Sequence, residues 1–121
     1  MRSDADRLGD ILEAIAKIRE RITESIPAFQ SDEMLQVWVI HHLQMIGEAA
    51  RGVSQSLKDR HPQVPWPQIV ALRNILVHEY FGVNMHQVWT MTQKDLPQLE
   101  EQVRHIRSRI AADSGCGPSV A

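Results

Sequence analysis

The chain has 121 residues, of which 43% are hydrophobic and 23% are charged, and its formal net charge at pH 7 is −2. This length suits one domain with a single hydrophobic core, while the 5% aromatic content and six glycines argue against a strand-rich sandwich. A chain of this charge does not coat nucleic acid by bulk electrostatics, which needs a strongly basic domain, so any such contact must be local.

The sequence has neither a membrane-spanning segment nor a disulfide framework. No apolar run approaches the roughly 18 residues that a span requires, and the N-terminal MRSDADRLGD lacks the apolar core of a signal peptide. The single cysteine, Cys116, excludes a cysteine metal cluster within one chain. We therefore expect a cytosolic protein that has no contact with membranes.

The first helix is predicted between residues 4 and 26, where apolar residues recur at steps of three and four. Ser3 is a suitable N-cap with Asp6 three residues later, and Pro27 should stop the helix.

A second long helix is predicted from a Ser31 cap to about Lys58. Its apolar stripe is wide and includes His42, which indicates contact with more than one partner helix.

The segment RHPQVPWPQ contains three prolines and is typical of a rigid connector. A third helix should begin at about Pro67 and end near Gly82, because proline is tolerated in a first turn and glycine terminates helices. Asn84, with Gln87 three residues later, resembles the capping pair of a fourth helix.

A last helix is predicted from Asp95 to about Ala112, although one rod kinked at Pro97 would also account for helices four and five. Residues 113–121 are predicted to be a disordered tail. The whole pattern predicts one all-α domain over residues 1–112, an up-and-down bundle of four to five helices.

Polar residues interrupt the apolar stretch RNILVHEY at positions 73 to 80. At about 100° per residue, Asn74 and His78 share a helix face, whereas Arg73 and His78 are roughly 140° apart. The two could meet if the guanidinium swings over or if the helix loosens before Gly82. A two-fold axis near this helix would place the same residues of a second chain beside them, and this arrangement fits the angular separation best.

The residue types at this position suit phosphodiester cleavage without a metal ion. His78 can move a proton near neutral pH, Arg73 can donate its planar fork to a charged phosphate, and Asn74 can hold a phosphate oxygen. The structural alternative is that Arg73 pairs with Glu79 or with a carboxylate of another helix such as Glu48. In that alternative His78 caps a helix end and Tyr80 packs at the edge of the core.

Other polar groups receive structural interpretations. His41 and His42 are adjacent on a helix and diverge by about 100°, and no H-E-x-x-H string accompanies them, so we expect no metal or cofactor and a hydrogen-bonded interior His42. Two small basic clusters are predicted to be solvated helix faces: Arg51, Lys58, Arg60 and His61; and Arg104, His105, Arg107 and Arg109.

The run Arg73, four residues, His78, one residue, Tyr80, set in RNILVHEYFGV after HPQVPWPQIVALRN, resembles the signature of the HepT-like branch of the HEPN superfamily. The segments IGEAAR, PW, VW and DLPQL are also similar, so the resemblance covers roughly residues 8 to 110. It implies a HEPN-like helical bundle that forms a homodimer, with the two motifs lining a shared cleft.

For toxin members of that family, the resemblance implies metal-independent ribonuclease activity in which Arg73 and His78 are the catalytic pair and Asn74 is a supporting polar residue. It also implies a partner, an MNT-type nucleotidyltransferase antitoxin that silences the toxin by adenylylating the motif tyrosine, here Tyr80. Adenylate there would add charge and bulk where an RNA phosphate must lie.

Two functions are expected on these grounds. The first is the toxin of a type VII HEPN/MNT toxin-antitoxin pair, an endoribonuclease acting on RNA, with tRNA among its candidate substrates. The alternative is a non-catalytic helical dimer that binds a nucleotide or RNA and docks a nucleotidyltransferase, because binding and cleavage require the same donors.

Overall fold

The computed structural model describes residues 2–22, 25–78 and 84–120, without the side chains of residues 75, 77, 78 and 112–120. These ranges contain six helices and no strand, which confirms the all-α prediction. The helices are α1 (Asp4–Arg21), α2 (Ile26–Gln30), α3 (Glu33–Gly52), α4 (Gln55–Arg60), α5 (Trp66–His78) and α6 (Met85–Val120).

Helices α1 and α3 pack antiparallel, with a polar contact at each end of the pair. The indole Nε1 of Trp38, near the start of α3, donates a hydrogen bond of 2.9 Å to the carbonyl of Lys17 near the end of α1. At the other end, the backbone N–H and hydroxyl of Ser54 donate to the two carboxylate oxygens of Asp4 at 2.8 and 2.6 Å. These bonds fix the register of the two helices.

Helix α6 returns along α1 in the opposite direction. Gly9 near the start of α1 faces the guanidinium of Arg107, and Arg19 near its end forms an ion pair of 3.0 Å with Glu100. Because α3 also packs against α2 and α5, the four long helices form the predicted up-and-down bundle. No helix within the described ranges combines the length and the apolar character needed to cross a bilayer.

The core forms where the apolar faces of the long helices meet, and its largest fully buried side chains come from α1 to α4, from α6 and from the connector between α4 and α5. Helix α3 is central and contacts three other helices, as its wide apolar stripe predicts. The fully buried side chains include Leu8, Ile11, Ile15 and Ile18 of α1, Phe29 of α2, Val39, Leu43 and Ile46 of α3, and Val103 and Ile106 of α6.

The start of the first helix is as predicted. The hydroxyl of Ser3 accepts a hydrogen bond from the backbone N–H of Asp6, and the Asp6 carboxylate accepts one from the backbone N–H of Ser3, which completes a capping box. The backbone and hydroxyl of Ser3 lower the pKa of the Asp6 carboxyl.

The predicted end of the first helix is wrong. Helix α1 stops at Arg21, and the extended backbone of Ile22 follows it. Pro27 does not terminate α1; it lies in the first turn of α2, where Ser25 is the N-cap and accepts a hydrogen bond from the N–H of Ala28. Proline is compatible with a first turn because no intrahelical bond from its nitrogen is needed there.

The predicted second helix is also shorter than expected. Asp32, not Ser31, is the N-cap of α3, and its carboxylate accepts a hydrogen bond of 3.0 Å from the N–H of Leu35. The helix ends at Gly52, and Ser54 caps the separate helix α4. The contact of Ser54 with Asp4 stabilises this break, and that partner lies 50 residues away in sequence.

In the second half, Asn84 caps α6 as predicted, since its side chain accepts from the N–H groups of His86 and Gln87. Helix α6 passes through Pro97 without ending, so the predicted alternative of one rod in place of separate fourth and fifth helices is confirmed. It continues to Val120, whereas the sequence predicts a disordered tail over residues 113–121. The predicted end of the third helix near Gly82 lies outside the described residues.

Candidate functional site

Three of the predicted site residues, Arg73, Asn74 and His78, lie along α5, whose first turn is held firmly against the bundle. Pro67 occupies that turn, as predicted, and Trp66 before it is buried. The indole Nε1 of Trp66 donates a hydrogen bond of 3.0 Å to the carbonyl of His61 in the connector. This anchor sets the direction in which α5 runs across α3 toward Arg73.

Gly47 allows α3 and α5 to approach closely at Arg73. A Cβ atom at position 47 would lie 3.0 Å from the carbonyl oxygen of Ile69, 3.1 Å from the backbone nitrogen of Arg73 and 3.3 Å from the Cβ of Arg73. Two of these atoms belong to the α5 backbone and cannot rotate away. Hydrogen at position 47 therefore sets the spacing of the two helices beside the arginine.

Arg73 forms an ion pair with Glu48, the residue that follows this glycine. Its Nε lies 3.2 Å from the Glu48 carboxylate, and Glu48 is also 4.0 Å from Arg51. The exposed fractions of the two side chains are 43% for Arg73 and 52% for Glu48. The structural alternative of a carboxylate partner from another helix is thus observed, in a pair that remains open to solvent.

The other motif residues differ in how far they are described. Asn74 is exposed on α5. His78 is the last residue of α5, with its side chain outside the described part of the chain, and Tyr80 lies outside the described residues. Because Arg73 and His78 belong to one helix, their positions are about 140° apart around its axis.

Next to this pair, α3 presents an exposed apolar stripe, interrupted by the exposed His41 on the same face and defined by Met34, Val37 and Met45. Their exposed fractions are 79%, 44% and 45%. With Glu48 they lie within roughly 80° of the helix circumference, so the stripe leads along about 20 Å of α3 to the partner of Arg73. An exposed apolar surface of this kind is typical of a protein contact.

His42 has the interior role that the sequence predicts. It is buried, and its ring Nδ1 lies 2.8 Å from the carbonyl oxygen of Trp38, one turn earlier on α3. The rings of the two residues pack with their centroids 4.4 Å apart. Among the described side chains, no three His, Cys, Asp or Glu residues are grouped so that they could share a metal ion.

Gly47 is the residue of this site that the sequence analysis missed. A glycine in the interior of a helix costs about 1 kcal/mol relative to alanine, so its position within IGEAA already signals a packing requirement. Which helix it would contact does not follow from that signal.

Chemically, the site offers a positioned guanidinium at the surface of the bundle. The fork of Arg73 matches the geometry of a phosphate group, and its exposed ion pair can exchange a carboxylate for another anion at little cost. Asn74 presents amide donors on the neighbouring helix position.

Comparison with known proteins places this arrangement in a family. Residues 11–106 match the family model described as Ribonuclease HepT-like. A protein of Thermococcus cleftensis named probable ribonuclease HepT is 36% identical over 107 residues, which cover 88% of this chain and 97% of that protein. No solved structure is significantly similar to this chain.

Two further relatives are named as candidate RNases. One, from Methanocaldococcus jannaschii, is 37% identical over 101 residues that cover 82% of this chain and 92% of its own length. The other, from Caldanaerobacter subterraneus subsp. tengcongensis, is 35% identical over 107 residues that cover 88% and 96%. The chain therefore belongs to the ribonuclease HepT-like family of the HEPN superfamily.

Proposed function

We propose that this protein is an endoribonuclease that cleaves RNA without a metal ion and acts as the toxin of a type VII HEPN/MNT toxin-antitoxin pair in the cytosol. The observation that carries the proposal is the solvent-accessible guanidinium of Arg73 within a chain of the ribonuclease HepT-like family. The ribonuclease names of the relatives support the reaction class.

In the proposed reaction, the ribose 2′-oxygen attacks the adjacent phosphorus while the bond from phosphorus to the 5′-oxygen breaks. The products are a cyclic phosphate and a free 5′-hydroxyl, so no water enters this step. His78 moves the proton, as the base that accepts it from the 2′-hydroxyl or as the acid that supplies it to the leaving oxygen. Arg73 stabilises the charge that develops on the phosphate oxygens, and Asn74 holds one of those oxygens.

The active form is proposed to be a homodimer. Since Arg73 and His78 are about 140° apart on α5, the arginine of one copy and the histidine of the other serve one phosphate best when a two-fold axis passes near the helix. The exposed apolar stripe of α3 adjoins the Arg73–Glu48 pair and supplies a surface on which a second copy can pack.

Cleavage of total RNA by the purified protein tests the reaction. We expect cleavage that His78→Ala and Arg73→Ala each abolish, with cyclic phosphate at the product ends. Arg51→Ala is the matched control, because it removes an exposed arginine that also lies beside Glu48 but is outside the motif. RNA binding without cutting would instead establish the alternative, a non-catalytic helical dimer that docks a nucleotidyltransferase.

The dimer has its own test. Met45→Glu places a charge in the exposed apolar stripe and should convert a dimer to monomers in light scattering, with loss of cleavage. Ala16→Glu, at an exposed position of α1, introduces the same charge on another helix and should leave the dimer intact. A wild-type protein that is monomeric at the concentrations where it cleaves RNA would contradict the shared site.

The proposed regulation is adenylylation of Tyr80 by the nucleotidyltransferase antitoxin. The added phosphate would repel an RNA phosphate at Arg73 and occupy its place. Intact mass after co-expression with a neighbouring nucleotidyltransferase should increase by multiples of adenylate, and the increase should vanish in Tyr80→Phe. Modification that persists in Tyr80→Phe would refute the assignment of the tyrosine.

A further inference from the structure

A concave surface near the start of α5 brings together basic residues that are far apart in the sequence. This basic concavity has a volume of about 340 Å³ and draws on the end of α4, the connector and α6. It is lined by Arg60, His61, Gln63, His105, Arg109 and Ile110. The sequence analysis assigned these basic residues to two separate solvated faces, and the fold joins them.

Among the side chains that the structure describes, the lining of the basic concavity includes no carboxylate, in contrast to the surroundings of other arginines. Arg104, on the same helix, lies 3.5 Å from Glu100, and Arg73 lies 3.2 Å from Glu48. Among the described side chains, neither Arg60 nor Arg109 is within ion-pair distance of an acidic group. The Nε of Arg60 donates to the carbonyl of Ser56 at 3.4 Å, and the described lining of the cavity gives the two arginines no acidic partner.

Mutual repulsion within the cavity is consistent with this shortage of negative charge. Burial lowers the pKa of His61, and the positive charges of Arg60, Arg109 and His105 lower it further. A bound anion would offset that repulsion and favour the protonated histidine. A phosphate group bound there would supply the negative charge that the described lining of the cavity lacks.

The position of the basic concavity favours a polynucleotide over a small anion. Gln63 lines it and also lines an adjoining cavity of about 300 Å³ between α5 and α6. That second cavity has apolar walls and an edge of glutamine amides, with one carboxylate, Asp95, in its lining, and it extends to Leu72, the neighbour of Arg73. Apolar walls suit the faces of bases, and amides and a carboxylate can bond to base edges. Its apolar and amide lining comprises Ile46, Ile69, Leu72, Leu96 and Leu99 with Gln63, Gln68, Gln98 and Gln102.

We infer that the basic concavity is an accessory site that binds a backbone phosphate of the RNA chain, away from the phosphate held at Arg73. This inference rests on the proposed ribonuclease function. The concavity and Arg73 are linked through α5: Trp66 at the start of this helix donates a hydrogen bond to the carbonyl of His61, and Arg73 lies seven positions later, about 10 Å along the helix axis.

A pair of charge-matched double variants tests the accessory site. Arg60→Gln with Arg109→Gln removes the two arginines of the basic concavity, whereas Arg2→Gln with Arg104→Gln removes two arginines that are already paired with carboxylates. The binding of a short single-stranded RNA carrying 2′-O-methyl groups, which cannot be cut through the 2′-oxygen, is measured by fluorescence anisotropy across a salt series. Cleavage of unmodified RNA is measured in parallel.

We expect the concavity variant to bind about tenfold more weakly at moderate salt and to lose about 0.7 from the log–log salt slope, because the single phosphate contact to a single strand that it removes contributes about 0.7. The paired-arginine variant should match the wild type. The accessory site would be overturned if both double variants bound RNA as tightly as the wild type. It would also be overturned if both lost the same affinity, because equal losses would reflect net charge alone. If RNA binding depends on the basic concavity and no cleavage occurs, the accessory site stands and the nuclease assignment fails.

Discussion

Replacing Gly47 by alanine should move α5 away from α3 beside Arg73. The new Cβ would lie 3.0 Å from the carbonyl oxygen of Ile69, and ordinary contacts begin at 3.4 Å, so the helices must separate by about 0.4 Å. Overpacking of this kind costs about 1–3 kcal/mol. Alanine returns about 1 kcal/mol of helix propensity, which leaves a net loss of roughly 0–2 kcal/mol.

The Gly47→Ala variant should stay folded while its rate of RNA cleavage falls. A domain with the usual 5–15 kcal/mol of stability remains roughly 99% folded or more after such a loss, so a fall in RNA cleavage would report the displacement of Arg73 and not unfolding. We expect a decrease in the melting temperature of a few degrees together with about a tenfold decrease in cleavage, because transition-state contacts depend on sub-ångström placement.

Gly9→Ala is the matched control for this experiment. Its Cβ would lie 3.5 Å from the flexible guanidinium of Arg107, an ordinary contact on α1. This variant should be as stable as the wild type, or more stable by up to about 1 kcal/mol, and fully active. If Gly47→Ala were equally stable and equally active, close approach of the two helix backbones would not determine the position of Arg73.

Three further outcomes are expected. Glu48→Gln should change the free energy of unfolding by less than about 1 kcal/mol, because its ion pair with Arg73 is exposed, and should tighten RNA binding in anisotropy because no carboxylate competes for the guanidinium. Asp4→Asn should cost about 1–3 kcal/mol in chemical denaturation, since it weakens two hydrogen bonds from Ser54. The pKa of His61 is lowered in the folded chain, so the unfolded chain takes up the histidine proton more readily. The stability that neutral His61 contributes is therefore present above pH 6.5 and is lost as the pH falls. His61→Gln should reduce this dependence of the free energy of unfolding on pH, measured by denaturation across a pH series.

Each of these expectations has a matched comparison. Asp10→Asn removes an exposed carboxylate that pairs with Arg2, far from the motif, and should leave RNA affinity unchanged. Asp59→Asn changes a carboxylate that binds only the exposed Gln55 among the described residues and should be nearly neutral for stability. His86→Gln, which replaces an exposed histidine at the start of α6, is the comparison for His61→Gln. A variant that behaves like its control refutes the corresponding contact.

Local signals in the sequence predicted where the first and last helices begin, and tertiary contacts decided where others end. The caps at Ser3 and Asn84 use side chains within three residues of the helix start, so their chemistry is visible in a short stretch. The break after Gly52 depends on Asp4, which is 50 residues from its partner Ser54, and apolar periodicity alone does not reveal it.

The candidate site was predictable to a similar degree. The motif positions at 73, 74 and 78 follow from residue types, and Glu48 was foreseen as one possible partner of Arg73. The contact of Gly47 with the α5 backbone and the union of two basic clusters in one cavity were not foreseen, because each depends on how separate helices pack.

The surroundings of Arg73 are poorly explained by stability alone. An ion pair as exposed as that with Glu48 contributes about 0–1 kcal/mol, and the glycine beside it costs α3 about 1 kcal/mol of helix propensity. Natural sequences depart from the residues that local stability favours mainly at functional sites. The exposed ion pair and the glycine inside α3 are two such departures, and both lie beside Arg73. Their coincidence favours a functional role for the Arg73 guanidinium in addition to any role in stability.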